Sequence, residues 1–443
     1  MIPEEVRGIL KTLHDAGYEA YAVGGAVRDT LLGKIPFDWD VTTSALPEQV
    51  MSLFGERAIP TGLKHGTVTV LAGDQRIEVT TYRLDGVYAD HRHPEQVEFT
   101  TSLEEDLRRR DFTVNAMALA ADGTLIDPFG GEQDLRAGIL RAVGDGERRF
   151  EEDALRILRG LRFAATLDFA IEEQTAAAMS AKKELLSSLA AERVLEELTK
   201  LLCGKAVRRV LMDYSHIIGV VLPEILPSVD FDHRNPHHCY DVWEHTACAV
   251  ENVPAEPLLR WVMLLHDLGK PIVCFYDDEA KKARYIGHQA ASVELAEKIL
   301  PRLRFDSDST ERILRLVKYH DMLFEPTEKS IRRMLRRFGE ADLRALIHIR
   351  RADNLAQHPD FWGRQAELAA CNEVLEQVLR EDQCFSLAQL AVNGRDMMAL
   401  SLSGRAIGEM LEYLLAAVVE EELPNEKDVL LAAAKDMMEK AHR

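Results

Sequence analysis

Asp38 and Asp40, separated by Trp39, are the first residues of this 443-residue chain whose types and spacing could do chemistry. Carboxylates at i and i+2 on a strand project to one face. Such a pair is costly unless divalent cations neutralise it. Mg²⁺ typically takes one or two carboxylates plus substrate phosphates, and two ions together can activate a hydroxyl and stabilise a leaving oxygen. Upstream stands Gly24-Gly25-Ala26-Val27-Arg28-Asp29. Paired glycines between a strand and a helix let the backbone approach a phosphate, and Arg28, one turn into the helix, can reach a triphosphate. Each piece alone is an ordinary turn or a solvated strand. In this order they predict two Mg²⁺ ions on Asp38 and Asp40 acting on a nucleotide. Glu78 is a candidate third carboxylate near the metals, or equally a surface strand position.

A second group follows at Glu151-Glu152-Asp153-Ala154-Leu155-Arg156 and continues through Arg159, Arg162 and Phe163. The periodicity predicts one helix over 151–166. That helix would make Asp153 and Arg156 neighbours at i and i+3, with Arg159 and Arg162 extending the ridge. On an arbitrary helix this is an ion pair on a solvated face. The chemistry allows more. Cytosine and adenine each present an amino donor beside a ring-nitrogen acceptor, whereas guanine and uracil present a ring N–H beside a carbonyl. A carboxylate only accepts and a guanidinium only donates. One Asp–Arg pair therefore suits C and A and mismatches G and U, without a nucleic-acid template.

A third group lies in the second half: His245, His266-Asp267, His288, His320-Asp321 and Asp353, on or at the ends of predicted helices. Imidazoles and carboxylates from separate helices of a bundle can build an internal metal site.

The elements that must position these residues change character along the chain. Residues 1 to about 140 are mixed α/β. Helix is expected over 3–16, a strand over 18–23, a helix through Leu32, paired strands over 67–71 and 76–82 around a Gly73-Asp74 turn, and a strand over 124–128. A polar loop is expected over 84–94. Beyond about Glu147 the pattern is helical, with stretches at 171–181, 189–203, 243–252, 257–268, 289–301, 308–320, 328–337 and 361–380, and no useful strand alternation. Pro223 to Pro236 is a plausible boundary.

The formal charge is −20, which argues against a non-specific polyanion binder but not against local basic patches. Arg108-Arg109-Arg110 and Arg332-Arg333 with Arg336-Arg337 are such clusters, each most simply a solvated helix face. No apolar run approaches the roughly 20 residues that span a bilayer. The six cysteines form no CxxC pair, which argues against a thiolate zinc site and fits a reducing cytoplasm.

Around these positions the chain resembles the nucleotidyltransferase superfamily that includes DNA polymerase β. More closely it resembles the class II tRNA nucleotidyltransferases and bacterial poly(A) polymerases. The likeness runs through His65-Gly66-Thr67-Val68, Glu78 to Arg83, Arg109 to Ala116, Ile126 to Gly131 and Arg141 to Gly144. It implies an α+β head with a mixed sheet (1–140), a helical neck (141–222), a helical HD-type domain forming the body (223–380) and a helical, tRNA-binding tail (381–443). It implies nucleotide binding by Gly25, Arg28 and Arg110, amino-acid templating of the base by Asp153 and Arg156, and further nucleotide contacts at Arg159 and Arg162. Ala191 to Leu198 resembles the family's fifth motif, with Arg193 as structural support of the neck.

The implied activity is addition of C, C and A to the 3′ end of tRNA from CTP and ATP, with contact along the acceptor arm. An A-adding enzyme or a poly(A) polymerase is the alternative. Asp85 to Pro94 resembles a loop that CCA- and A-adding members carry and CC-adding members lack. Ile59 to Gly66 lacks the arginine-rich extension of the poly(A) polymerases. The third group, in the order His…His-Asp…Asp with His266-Asp267-Leu268-Gly269-Lys270, resembles the HD phosphohydrolases. By that likeness His245, His266, Asp267 and Asp353 bind a divalent metal, and His288 and His320 a second metal or a substrate phosphate. A metal-dependent phosphohydrolase is thus the alternative of a different class, and a degenerate scaffold for RNA binding the plainer one. Oligomeric state is not encoded in any of these features.

Overall fold

Val6, Ile9, Leu10 and Leu13 recur at helical spacing, and helix α1 (Glu4–Asp15) buries that face. This is a computed structural model, and it describes residues 2–85, 97–381 and 383–441. The loop expected at Asp85 to Pro94 therefore lies, beyond Asp85, outside the described residues. Two compact units are present, Met1–Leu226 with Arg302–Arg304, and Pro227–Pro301 with Phe305–Arg443.

The first unit is built on a seven-stranded mixed sheet. Its strands are β1 (Ala20–Val23), β2 (Asp40–Thr43), β3 (Ala58–Gly62), β4 (Thr67–Ala72), β5 (Gln75–Thr81), β8 (Ala118–Leu119) and β9 (Leu125–Ile126), in the order β3-β4-β5-β2-β1-β8-β9. A hairpin of β6 (Arg83–Asp85) and β7 (Val97–Phe99) stands apart. Between β4 and β5 the chain turns at Gly73, φ 59°, where the sequence places a turn. Strands β2 and β5 run parallel, and Asp40 pairs with Glu78 in register; β1 runs antiparallel to β2, with Val23 opposite Asp40. Helices α2 (Gly25–Leu31), α3 (Pro47–Phe54), α4 (Leu103–Arg108) and α5 (Gly131–Ala137) connect them.

Two expectations change here. Asp38 does not share a strand with Asp40: β2 begins at Asp40, after a bend that follows Pro36, whose missing N–H cannot join a ladder. The helix expected over 151–166 is two helices. α6 (Gly146–Glu152), capped by the Asp145 carboxylate, stops at Asp153, which is extended at φ −140°, ψ 102°. α7 (Leu155–Leu167) then starts afresh, and the Asp153 carboxylate accepts from the Leu155 N–H at 3.0 Å, the kind of local bond by which Asp competes with helix propagation.

β10 (Ile139–Leu140), which precedes α6, pairs in parallel with β11 (Ala170–Ile171), which follows α7; then come α8 (Glu173–Lys182), α9 (Ala191–Leu202), α10 (Val207–Asp213) and α11 (Ser215–Val221). The β10–β11 pair is too short for a readable alternation.

The second unit holds α12 (Val242–Asn252), α13 (Pro257–Leu265), α14 (Lys270–Val273), a short hairpin β12 (Phe275–Asp277) and β13 (Lys282–Arg284), α15 (His288–Arg302), α16 (Ser307–Lys318), α17 (Glu328–Leu355), α18 (Arg364–Arg380), α19 (Gly394–Ala399), α20 (Arg405–Val419) and α21 (Lys427–Ala441). α17 continues well past the expected 337 through a break at Gly339, φ 75°. Its basic cluster is solvated, as expected, but is also paired with acids of a later helix and its end. Arg332 pairs with Glu421, Arg333 and Lys329 with Glu420, and Arg336 with Glu412 at 2.8 Å. The Arg333 guanidinium, helped by Lys329, holds the Glu420 carboxyl down to about 2.

Gly204, just past α9, lets the chain close on α7: a Cβ there would stand 2.6 Å from the Ala165 carbonyl carbon. Gly204→Ala should cost about 2 kcal/mol by overpacking and lower the first unit's Tm by about 4–8 °C in calorimetry. An unchanged Tm would show that the two helices can separate freely.

Candidate functional site

In the first unit the Gly24 turn, the start of β2, the segment after α4, and helices α7 and α9 surround one cavity of about 470 Å³. Its charged side chains are eight arginines and four aspartates. On a chain of net charge −20 this is a local positive field suited to a polyanion. Gly25, Arg28, Asp38, Asp40, Arg110, Asp153, Arg156, Arg159 and Arg162 all line it. Glu78 does not line it and stands beside Asp40 on β5.

Gly24 has φ 74°, and a Cβ there would lie 3.3 Å from Arg110 Nη1 and 3.8 Å from Asp40 Oδ2. Only glycine lets the backbone pass so close to both groups. Asp38 and Asp40 are open to solvent while Trp39 between them is buried. Desolvation first, then the Asp38 and Glu78 carboxylates, push the Asp40 carboxyl up to about 6 against the pull of Arg110. A carboxylate crowded by two others is suited to a divalent cation.

The arginines are held by buried acids. Asp106, fully buried, accepts from Thr42 Oγ1 on β2 at 3.0 Å, from Arg109 Nε at 3.0 Å and from the Arg83 N–H at 3.3 Å, and Arg110 Nη2 lies 3.5 Å away. Burial alone would raise this carboxyl; Arg109, Arg110 and the Thr42 hydroxyl outweigh it and hold it below its usual range. Asp111 accepts from Arg159 at 2.8 and 2.6 Å, from Asn115 Nδ2 at 3.0 Å and from the Phe112 N–H at 2.8 Å. Asn115 Oδ1 in turn accepts from Arg28 Nη1 at 2.7 Å. Arg162 pairs with Glu197 of α9 at 2.7 Å. The Phe163 ring lies 5.2, 5.4 and 4.1 Å from the guanidinium carbons of Arg28, Arg159 and Arg162, within cation–π range.

Asp153 and Arg156 both reach the cavity, but not as an ion pair. Arg156 Nη1 donates to Glu152 and to the Arg149 carbonyl, each at 3.0 Å, and Nη2 to the Arg109 carbonyl at 2.8 Å. With the helix broken at Asp153, its carboxylate accepts from Leu155 while the Arg156 guanidinium goes to Glu152 and backbone carbonyls, so the i, i+3 ion pair is corrected. Sequence reasoning also passed over Asp106, Asp111, Asn115 and Glu197. Asp111 and Asn115 lie inside the Arg109 to Ala116 stretch, and Asp106 stands one helical turn before Arg110, so helical spacing of acid and base was the available signal.

Comparison with known proteins fits this geometry. Residues 20–141 match the poly A polymerase head domain, 168–228 the RNA and SrmB-binding site of polymerase A, and 286–434 tRNA nucleotidyltransferase domain 2. The CCA-adding enzyme of Levilactobacillus brevis is 37% identical over 98% of this chain and 99% of its own length. The chain belongs to the CCA-adding enzymes. A crystal structure of the Bacillus stearothermophilus CCA-adding enzyme in complex with CTP is 30% identical and aligns with a TM-score of 0.77 over 100% of this chain and 99% of that one. The Thermotoga maritima CCA-adding enzyme complexed with tRNA, 21% identical, shares the fold at a TM-score of 0.59 over 98% and 94%. The family is one of metal-dependent nucleotidyltransferases, and no helix among the described residues is long and apolar enough to cross a membrane.

The second unit gathers its histidines and acids into a buried cluster. His245, His266, Asp267 and Asp353 bring candidate ligand atoms within 4.8 Å of one another, and so do Asp267, His288 and His320. His245, His266, His288 and His320 each place Nδ1 against a backbone carbonyl, of Ala356, Met263, Tyr285 and Val317. A carbonyl only accepts, so each Nδ1 carries a proton and each Nε2 is turned inward, where it can give a lone pair to a cation whenever it is not itself protonated. His245 Nε2 lies 3.2 Å from Asp267 Oδ2 and 3.1 Å from Asp353 Oδ1, and His266 Nε2 is 3.1 Å from Asp267 Oδ2. His288 Nε2 is 3.3 Å from His320 Nε2 and 3.5 Å from Asp267 Oδ1. Lone pairs facing lone pairs suit cations between them. Burial would lower His266, yet Asp267 and Asp353 push it up to about 9, a measure of how strongly the cluster draws positive charge. His233 and His238, stacked 3.8 Å apart beside His245, were not singled out in the sequence.

With the Asp40 carboxyl pushed up to about 6, protons would compete below that pH with a divalent ion held there and cease to compete above it. The half-saturating Mg²⁺ concentration for nucleotide incorporation should rise about tenfold per unit as pH falls below 6 and level off above about 7. A requirement that stays flat from pH 5 to 8 would remove Asp40 from the metal site.

Proposed function

We propose that the chain adds C, C and A to the 3′ end of tRNA from CTP and ATP in the cytoplasm, using the Asp38/Asp40 cavity and no nucleic-acid template. The observation that carries it is the meeting, in one cavity, of two exposed carboxylates with the arginine set and Asp153, in a chain that belongs to the CCA-adding enzymes. Asp38 and Asp40 would hold two Mg²⁺ ions, which would supply acidification of the attacking tRNA hydroxyl and screening of charge on the departing pyrophosphate. Arg28 and Arg110 hold the triphosphate against the Gly24-Gly25 backbone, so that the α-phosphate and the hydroxyl stay in line.

Base choice falls to Asp153 and Arg156. A guanidinium has five N–H donors; Arg156 gives three of them to Glu152 and two carbonyls, which fixes its plane and leaves donors for a ring nitrogen. Asp153 Oδ1 takes the Leu155 N–H, which leaves Oδ2 to accept from the amino group of C or A. Arg159 and Arg162, anchored on Asp111 and Glu197, line the nucleotide from behind. The tRNA is gripped along its acceptor arm by shape and backbone.

The buried histidine–aspartate cluster is a second divalent-metal site, on His245, His266, Asp267 and Asp353, with His288 and His320 at a further position on the far oxygen of Asp267. The convergence of these imidazole nitrogens on the buried Asp267 carboxylate, whose Oδ1 has no hydrogen-bond partner, supports this. The arrangement resembles an HD-type hydrolase centre, and the phosphohydrolase reading belongs to that site and not to the Asp38 cavity.

Asp38→Ala should abolish CMP and AMP incorporation into tRNA ending before CCA, after the first C, or after CC, each assayed with CTP and ATP separately; incorporation that survives would sink the transferase assignment. Asp267→Ala should leave incorporation intact. Chelation should lower the second unit's Tm by several degrees in the parent chain and not in Asp267→Ala. Equal melting of the two, with and without chelator, would remove the second metal site.

A further inference from the structure

Seven of the eight arginines around the cavity have a partner for their guanidinium, and the partners that hold most of them are buried acids and carbonyls described above. Arg193, on the first turn of α9 and half-buried, lines the same cavity, and among the described residues its side chain makes neither hydrogen bond nor ion pair. The acids around it on the helix are already engaged. Glu192 faces Arg304 at 3.9 Å, Glu196 is bonded to Lys200 at 2.6 Å, and Glu197 is the partner of Arg162 at 2.7 Å. Burial and Arg159 pull the neighbouring Arg162 down in pKa, so positive charge is already crowded here. Arg193 shares the field of Glu196, which Lys200 engages first, and its guanidinium hydrogens remain available. An anion entering the cavity would be the group to take them.

We propose that Arg193 contacts a phosphate of the substrate, either in the nucleoside triphosphate or in the RNA backbone next to the reacting 3′ end. It is then a binding residue for the transfer and not merely support for the neck. The inference rests on the transferase reading of the cavity.

The test uses the full chain, tRNA lacking CCA, and the Arg193→Ala and Arg193→Lys variants. KM is measured for CTP at saturating tRNA and for tRNA at saturating CTP, with Tm alongside. Losing one charge-assisted hydrogen bond should raise one KM about 10- to 100-fold, with Arg193→Lys recovering part of it and Tm unchanged. A rise confined to CTP assigns the triphosphate. A rise confined to tRNA, with the salt dependence of tRNA binding shallower by about one phosphate, assigns the RNA. Both KM values within twofold of the parent overturn the proposal, as does a loss accompanied by a fall in Tm that Arg193→Lys shares. If the parent chain itself incorporates nothing, the transferase reading fails and this inference with it.

Discussion

Eight guanidinium groups around one cavity repel one another, and two unit charges about 4 Å apart near a protein surface interact by about 4 kcal/mol. Everything else in the first unit is arranged around that repulsion. The balancing groups come from different elements: Asp106 from α4, Asp111 just after it, Glu152 from α6 and Glu197 from α9. Each pair therefore does structural work as well as charge balancing. Arg159 on α7 reaches Asp111, 48 positions earlier, and Arg156 reaches the Arg109 carbonyl, 47 positions earlier. α7 is thereby tied to the segment after α4 by the same bonds that hold its arginines still, and Asp106 of α4 binds Thr42 of the strand that carries Asp40. Removing one partner of such a buried pair leaves an uncompensated charge, a loss of about 3–5 kcal/mol.

That dependence on distant partners marks what the sequence could and could not disclose. The Asp38/Asp40 pair, the glycine turn and the arginines of α7 were legible because their chemistry is local and their spacing short. The mixed sheet followed from alternation at 67–71 and 76–82, and the helical remainder from its period. The break at Asp153 was not legible. Residues 151–166 keep an unbroken helical pattern, and what rewards the break is an Arg156 guanidinium satisfied by backbone from another part of the chain. The same holds for Arg332, Arg333 and Arg336. Their partners Glu421, Glu420 and Glu412 lie 89, 87 and 76 residues away, so local charge patterning discloses the solvated face but not the ion pairs made across it.

In the second unit the order of histidines and acids was legible, while the tautomers were not. Four imidazoles are oriented by four backbone carbonyls, and backbone hydrogen bonding leaves no mark on side-chain identity. The two polar centres of the chain use opposite means to the same end. Around Asp40 the carboxylates are open and the surrounding charge is cationic, which favours an exchangeable anionic ligand bridged by metal. Around Asp267 the ligating atoms are buried, and four imidazoles converge with two acids, which favours cations that stay. Lys270 Nζ, 2.6 Å from Asp267 Oδ2 and 3.1 Å from His233 Nε2, already supplies one fixed positive charge there. It requires His233 Nε2 to accept, and His233 Nδ1 then donates to the Tyr240 carbonyl at 2.9 Å.

A chain with 20 excess negative charges must still draw polyanions to one place. Clustered arginines in a partly desolvated cavity do this because a local field outweighs a distant sum once screening sets in over about 8–10 Å. The acids of the chain contribute by position. Those inside the cavity neutralise particular guanidiniums and leave the excess positive. Those of the C-terminal helices, Glu412, Glu420 and Glu421, engage the basic face of α17 and withdraw it from competition for the same ligands. Positive charge is thereby concentrated where Asp38 and Asp40 wait. A negative overall charge then acts as a filter, because it weakens non-specific contact with nucleic acid everywhere except at the cavity.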